Sequence, residues 1–267
     1  MTINTIASAV CRRLGLNFSA VYDEYKFDDD LARFVSGGDI DFLSYGNADY
    51  KYSAQLPPHL GAHIIRDPRD IVVSAYFSHL YSHSTSSWNE LRAHREKLQD
   101  LSKEEGIHQE IEFRSRSLKH MASWNYQQEH VLEFRFEDFV SNPYETLLKV
   151  FDFYGLLEDA DYRFGYRVMG LYREICAALN ARTSLQWPAR IGPGKLPAAE
   201  LLTISWRNRF QARTAGRQKG EENTRSHYRK GQSGDWRNHL TQGHKAHFKQ
   251  LYPDLVPKLG YADNDDW

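Results

Sequence analysis

The sequence predicts an α/β fold, built as a single domain over residues 1–267. Three observations support it. The stretch Gly61–His79 reads as a strand, a turn and a helix in succession. The chain's 267 residues, 41% of them hydrophobic, suffice for one large core and fit neither a disordered chain nor a membrane span. Short apolar runs suited to strands also alternate with stretches of helical spacing elsewhere in the chain.

In order along the chain, Ile3, Ile6, Ala7, Val10 and Leu14 recur at helical spacing, and Gly15 can close that helix. Asn17 to Lys26 is loop-like and contains Asp23 and Glu24. Asp28 is the expected cap of a short helix with Leu31, Phe34 and Val35 on its apolar face. Asp39 to Tyr52 alternates loosely and predicts a loop and a strand ending near Lys51.

The central unit follows. Ala62 to Ile65 is a short apolar run suited to a buried strand. Asp67 offers an N-cap, and Pro68 takes the first helical position, where a missing N–H costs nothing. Arg66 therefore leaves the carboxyl end of a strand beside the free N–H groups of a helix. Ligands of open α/β sheets bind at such a place, and an arginine beside a helix N-terminus suits an anion. An anion site built from Arg66 and Ser74 is one reading; a capped crossover helix whose arginine pairs with a carboxylate is the other.

Ser84 to Gln99 reads as a polar helix, Ile107 to Gln128 as one long amphipathic helix and His130 to Phe136 as a strand. Asn142 and Pro143 open a capped helix that ends at Gly155. Tyr162 to Asn180 and Pro197 to Phe210 are helical, with a loop over Arg182 to Pro197 between them. Gly216 to His227 is polar and glycine-punctuated, and His244 to Tyr252 and Leu255 to Leu259 close the domain.

Charge and cysteine usage narrow the function. The net charge of −1 argues against a global electrostatic partner such as a nucleic acid. From Arg207 to Arg237, however, nine Arg or Lys face only Glu221, Glu222 and Asp235, a net of +6 that fits a small polyanion. Cys11 and Cys176 form neither a metal cluster nor a disulfide framework, and no signal peptide is visible, so a reducing, cytoplasmic setting is expected. Within the basic region, Arg229 and Lys230 precede Gly231 and Gly234, whose backbone freedom lets N–H groups approach an anion closely, and Trp236 can bury to pin the loop.

The two segments together resemble the cytosolic-type sulfotransferases, here of a bacterial branch, which use 3′-phosphoadenosine 5′-phosphosulfate (PAPS). Arg66, Pro68, Asp70 and Ser74 match one motif of that family, and Arg229 to Trp236 matches the other without a break. The resemblance implies a three-layer sandwich with a central, mainly parallel sheet flanked by helices, of the P-loop nucleoside triphosphate hydrolase type. It implies that Arg66, Ser74, Arg229, Lys230 and the Gly231 N–H hold the 3′-phosphate. Phe136 falls where the family has a tyrosine that contacts adenine, and Phe210 where it places an aromatic under that base. The family's N-terminal strand and its Lys-Ser-Gly-Thr-Thr-Trp-type loop, which wraps the 5′-phosphosulfate, have no counterpart here.

By the same resemblance the reaction moves a sulfuryl group from PAPS to a hydroxyl, or an amine, of a small-molecule acceptor, leaves adenosine 3′,5′-bisphosphate (PAP), and requires no metal. The family's catalytic histidine is missing from its expected place, where Lys51, Tyr52 and Ser53 stand. Glu24 and Lys51 are the candidate catalytic residues, with His79 and His83 as further possibilities for the base. The alternative is a catalytically impaired PAP- or PAPS-binding protein that keeps the 3′-phosphate clamp. A kinase-like phosphotransferase is disfavoured because no Walker-type loop or magnesium-ligand pattern occurs. Nothing in the sequence identifies the acceptor or the oligomeric state.

Overall fold

Phe18–Val21 (β1) and Phe42–Tyr45 (β2) pair in parallel from Phe18 opposite Phe42 to Val21 opposite Tyr45. Gly61–Ile65 (β3) and Val131–Arg135 (β4) pair in parallel from Gly61 opposite Val131 to Ile65 opposite Arg135. A two-residue ladder joins Leu157–Glu158 (β5) to Leu196–Pro197 (β6). The computed structural model of the protein describes residues 3–86, 88–158, 164–180, 182–183 and 194–267. Among these, the expected α/β arrangement is present, with the parallel strands grouped as three separate pairs.

Helices lie around these ladders. Ile3–Leu14 (α1) buries Ile6, Val10 and Leu14, as its spacing predicts. Leu31–Gly37 (α2) and Tyr50–Ser53 (α3) are short and cover the first ladder with Phe27, Leu31 and Tyr52. Pro68–Phe77 (α4) follows β3, and a single π-turn continues it over Ser78–Ser82. Asn89–Gln99 (α5), Lys103–Phe113 (α6) and Ser115–Ser123 (α7) precede β4. Phe136–Ser141 (α8) and Pro143–Phe153 (α9) follow it. Phe164–Asn180 (α10), Ala198–Arg207 (α11), Phe210–Arg213 (α12), Gln242–Leu251 (α13) and Leu255–Lys258 (α14) complete the described order.

Two apolar clusters hold the layers together. One packs α1, α8, α9 and α11 against strand residues Phe42, Ala62, Ile64, Leu132 and Phe134. The other packs Val72, Val73, Tyr76 and Phe77 of α4 against Ile107, Ile111, Leu118, Trp236 and Phe248. Each fully buried aliphatic or aromatic side chain contributes about 1.5–3 kcal/mol relative to exposure. The motif helix α4 is therefore fixed by its own apolar face. Among the described residues no helix is long and apolar enough to cross a membrane.

Several expectations need correcting. A strand, β1, stands where the sequence reads as loop, because Phe18–Val21 gains its ladder only from β2. The cap of α2 is Asp30, which accepts from the Arg33 N–H at 2.8 Å, and Asp28 instead takes a positive φ in the preceding turn. The strand expected to end near Lys51 ends at Tyr45, and Lys51 lies in α3, capped by Asp49. The single helix expected over Ile107 to Gln128 breaks at Arg114, whose φ of −78° and ψ of 3° end α6 and admit α7. Asn142 precedes α9 without a side-chain cap; its amide turns to the Glu145 carboxylate at 2.5 Å. Phe210 starts α12 rather than ending α11. The loop expected over Arg182 to Pro197 lies mostly outside the described residues, and its last two residues form β6.

Candidate functional site

The site begins where β3 ends. Asp67 caps α4 by accepting the Arg69 N–H at 3.0 Å, and its carboxylate also receives Arg69 Nε and Nη2 at 2.9 and 2.8 Å. So held, the Arg69 guanidinium stacks 4.0 Å from the Trp236 ring and 4.7 Å from that of Trp267. Asp70, one turn inside the helix, accepts the backbone N–H groups of Gly234 and Trp236, the latter at 2.9 Å. Two buried acids of one helix turn thus fasten a segment more than 160 residues away.

The fastened segment is the basic, glycine-containing loop. Gly231 and Gly234 adopt φ of +66° and +81°, a region that side chains with a Cβ seldom enter. Gly231 also lies against Phe210, and an added Cβ would come within 2.8 Å of that ring. Asp235 sits beneath the loop and binds Arg229 Nη2 and Lys230 Nζ, both at 2.6 Å. Asn238 Nδ2 at 2.9 Å and His239 Nε2 at 3.1 Å complete its surroundings. Burial alone would raise the Asp235 pKa, but Lys230, Asn238 and Arg229 outweigh it and hold the carboxyl far below the ordinary range. The Arg229 guanidinium also pairs with Glu222 and stacks 4.6 Å from the Phe77 ring.

Arg66, Ser74, Phe136, Phe210, Arg229, Lys230 and Gly231 all line one cavity of about 600 Å³. Arg66 lies 4.9 Å from the centre of the Phe136 ring, and its Nε is buried without a hydrogen-bond partner. Burial pulls the Arg66 pKa down and Arg229 adds to the fall, against Asp70, Glu137 and Asp67. A guanidinium stays charged even so. The cavity therefore combines a half-buried, partly unpaired cation with a second arginine, a lysine, a hydroxyl and aromatic surface. That is a setting for a planar ring bearing an anionic group.

The other candidates lie elsewhere. Glu24 is in the short turn Glu24–Lys26, paired with Arg116, and does not line this cavity. Lys51 is exposed, with its ammonium 4.3 Å from the Tyr52 ring, and does not line it either. His79 is buried, its Nδ1 2.8 Å from a Glu110 oxygen, while His94 Nε2 lies 2.9 Å from the other. His83 packs its ring against His79, Trp88 and His227, and His227 reaches the cavity wall.

Sequence reasoning missed several lining residues: Ser78, Trp206, Arg209 and Lys219. The Arg209 guanidinium stacks 3.8 Å from the Trp206 ring. A Trp and an Arg three residues apart at a helix end were a usable signal for that pair. Ser78 had one as well, since it follows Ser74 by four residues and keeps helical φ and ψ, which puts both hydroxyls on one face.

Residues 57–160 match a family described as "Sulfotransferase family". No curated protein sequence matches the chain. Among solved structures it is similar to "Crystal structure of mouse sulfotransferase SULT7A1 complexed with PAP", at 15% identity and a TM-score of 0.45, over 94% of this chain and 78% of that one. The basic loop lies outside the family match, whereas β3, Arg66, α4 and Phe136 lie inside it. The strand–turn–helix unit that carries Arg66 and Ser74 therefore lies within the stretch that matches this family.

Proposed function

We propose that the protein transfers a sulfuryl group from PAPS to a hydroxyl, or an amine, of a small-molecule acceptor, releasing PAP. The single observation that carries this reading is the meeting of Arg66 with Arg229, Lys230 and Gly231 in one cavity, 163 residues apart in the chain (229 − 66). In this reading Arg66, Ser74, Arg229, Lys230 and the Gly231 N–H grip the ribose 3′-phosphate, while Phe136 and Phe210 offer ring faces to adenine. The acceptor oxygen attacks sulfur in line with the departing phosphate oxygen. The new S–O bond forms as the old one breaks, the acceptor proton leaves to a base, and the bridging electrons stay on PAP. Rate gain comes from positioning and charge stabilisation, as in phosphoryl transfer. Two buried, unbridged cysteines fit a reducing, cytoplasmic site of action.

A second reading, a PAP-binding protein without transfer activity, is favoured by one observation: Glu24 and Lys51 stand away from the cavity. Two experiments decide. Isothermal titration with PAP should give saturable binding that Arg66→Ala or Arg229→Ala weakens about 10- to 100-fold, the loss of a charge-assisted contact. Affinity untouched by both substitutions sinks both readings. Transfer of labelled sulfate from PAPS to phenols, sugars and aliphatic alcohols then separates enzyme from binder.

A further inference from the structure

Three helical segments meet at a buried polar group that the proposed transfer does not use. His79 stands in the π-turn over Ser78–Ser82, His94 on α5 and Glu110 on α6. All three are buried, Glu110 fully so. They share one carboxylate: Glu110 Oε1 lies 2.8 Å from His79 Nδ1, and Oε2 lies 2.9 Å from His94 Nε2. One ligand atom from each residue falls within 4.8 Å of the other two. The two contacts differ in kind. His94 and Glu110 are aligned for a hydrogen bond. His79 Nδ1 and Glu110 Oε1 are close but not so aligned, and neither atom has a hydrogen-bond partner.

Two unmatched polar atoms in a buried place are costly, and a shared cation between them removes the cost. The rings are held where such a cation needs them. His94 stacks on Phe113 at 3.9 Å, and Trp88 and Phe113 meet the His79 ring nearly at right angles, at 5.6 and 5.4 Å. Arg95 of α5 donates to the His79 and His83 carbonyls, which ties the π-turn to that helix. Irregular turns of this kind recur at functional positions. The half-buried Arg114 is also drawn to Glu110, a repulsion that any bound cation must overcome.

Two imidazole nitrogens and a carboxylate are a ligand set for zinc, with bonds of about 2.0–2.2 Å. Both Glu110 oxygens face a histidine, so a bidentate carboxylate gives four donors from three residues. We propose that His79, His94 and Glu110 bind one zinc ion that ties the π-turn, α5 and α6 together. None of the three lines the cavity that Arg66 and Arg229 share, so the role is structural. Ser78, beside His79, does line it, and the tie steadies that wall. The zinc site stands or falls independently of the function proposed above.

The test is zinc titrated by calorimetry into the full chain after treatment with a chelator. Wild type should take up one equivalent and melt at a higher temperature when loaded. His94→Gln should abolish the uptake. Two controls should keep it: His247→Gln, which breaks the contact of His247 Nδ1 with His108 Nδ1, and Glu222→Gln, which breaks the group of Glu222, Asp235 and His239. That pattern upholds the proposal, and any other, including no uptake, overturns it. If circular dichroism shows that His94→Gln does not fold, zinc-edge X-ray absorption on loaded His247→Gln decides instead. Two imidazoles and a carboxylate around the metal uphold the site, and fewer than two imidazoles overturn it.

Discussion

Gly231 shows how narrowly the loop is specified. Its φ of +66° is unfavourable for any residue with a Cβ, and the nearest ring atom of Phe210 would lie 2.8 Å from that Cβ. Gly231→Ala should therefore move either the loop or Phe210, whose ring forms the cavity wall. We expect a loss of about 1–3 kcal/mol in urea unfolding and weaker PAP binding in calorimetry. Asp235 supports a prediction with a definite sign. Its native pKa is depressed, so its contribution is complete above the unfolded value of about 3.9 and is lost as pH falls toward the native one. The difference in unfolding free energy between wild type and Asp235→Asn should thus stay constant from pH 8 to about pH 5 and shrink only below about pH 4. A difference that already fades near neutrality would contradict the assignment.

At the scale of elements, α4 is the joint between two distant segments. Its Asp70 carboxylate receives the Gly234 and Trp236 N–H groups, and hydrogen bonds to a charged acceptor are worth about 1.5–3 kcal/mol each. Asp70→Ala should lower stability by about 3 kcal/mol and release the basic loop, seen as faster amide exchange over residues 229–236. This joint was half legible in the sequence. The capped helix after β3 announced itself through Asp67 and Pro68, and the basic loop through its glycines. Nothing in local spacing says that Asp70 and Gly234 meet, since such a contact is set by tertiary packing. The same limit explains β1, a four-residue strand whose partner residues lie 24 positions on, and the break at Arg114, which the helical spacing does not mark. Phe136 and Phe210 were placed through a family pattern, and the structure puts both on one cavity. Glu24 and Lys51 were sought by position along the chain, which says little about depth: one is spent on Arg116 and the other lies on the surface.

On the scale of the whole molecule, the chain carries almost no net charge, yet it gathers a surplus of +6 between Arg207 and Arg237. Within that stretch buried Asp235 pairs with Arg229 and Lys230, and from α4 buried Asp70 receives the Gly234 and Trp236 N–H groups. Arg69, between Trp236 and Trp267, carries the same tie on to α13, whose Phe248 packs on Trp267. The cavity is thus surrounded by fixed charges whose partners are parts of the fold.

The carboxylate beneath the loop has one more consequence. A bare cationic patch gathers mobile salt ions that an incoming phosphate must displace, which makes affinity fall steeply as salt rises. Here Asp235 is a tethered counter-ion for Arg229 and Lys230, so under the proposed function an arriving phosphate would exchange partners and free few dissolved ions. PAP affinity followed across a potassium chloride series should decline gently in the wild type and more steeply in Asp235→Asn. In that sense the loop behaves as an ion exchanger already loaded with an anion of its own.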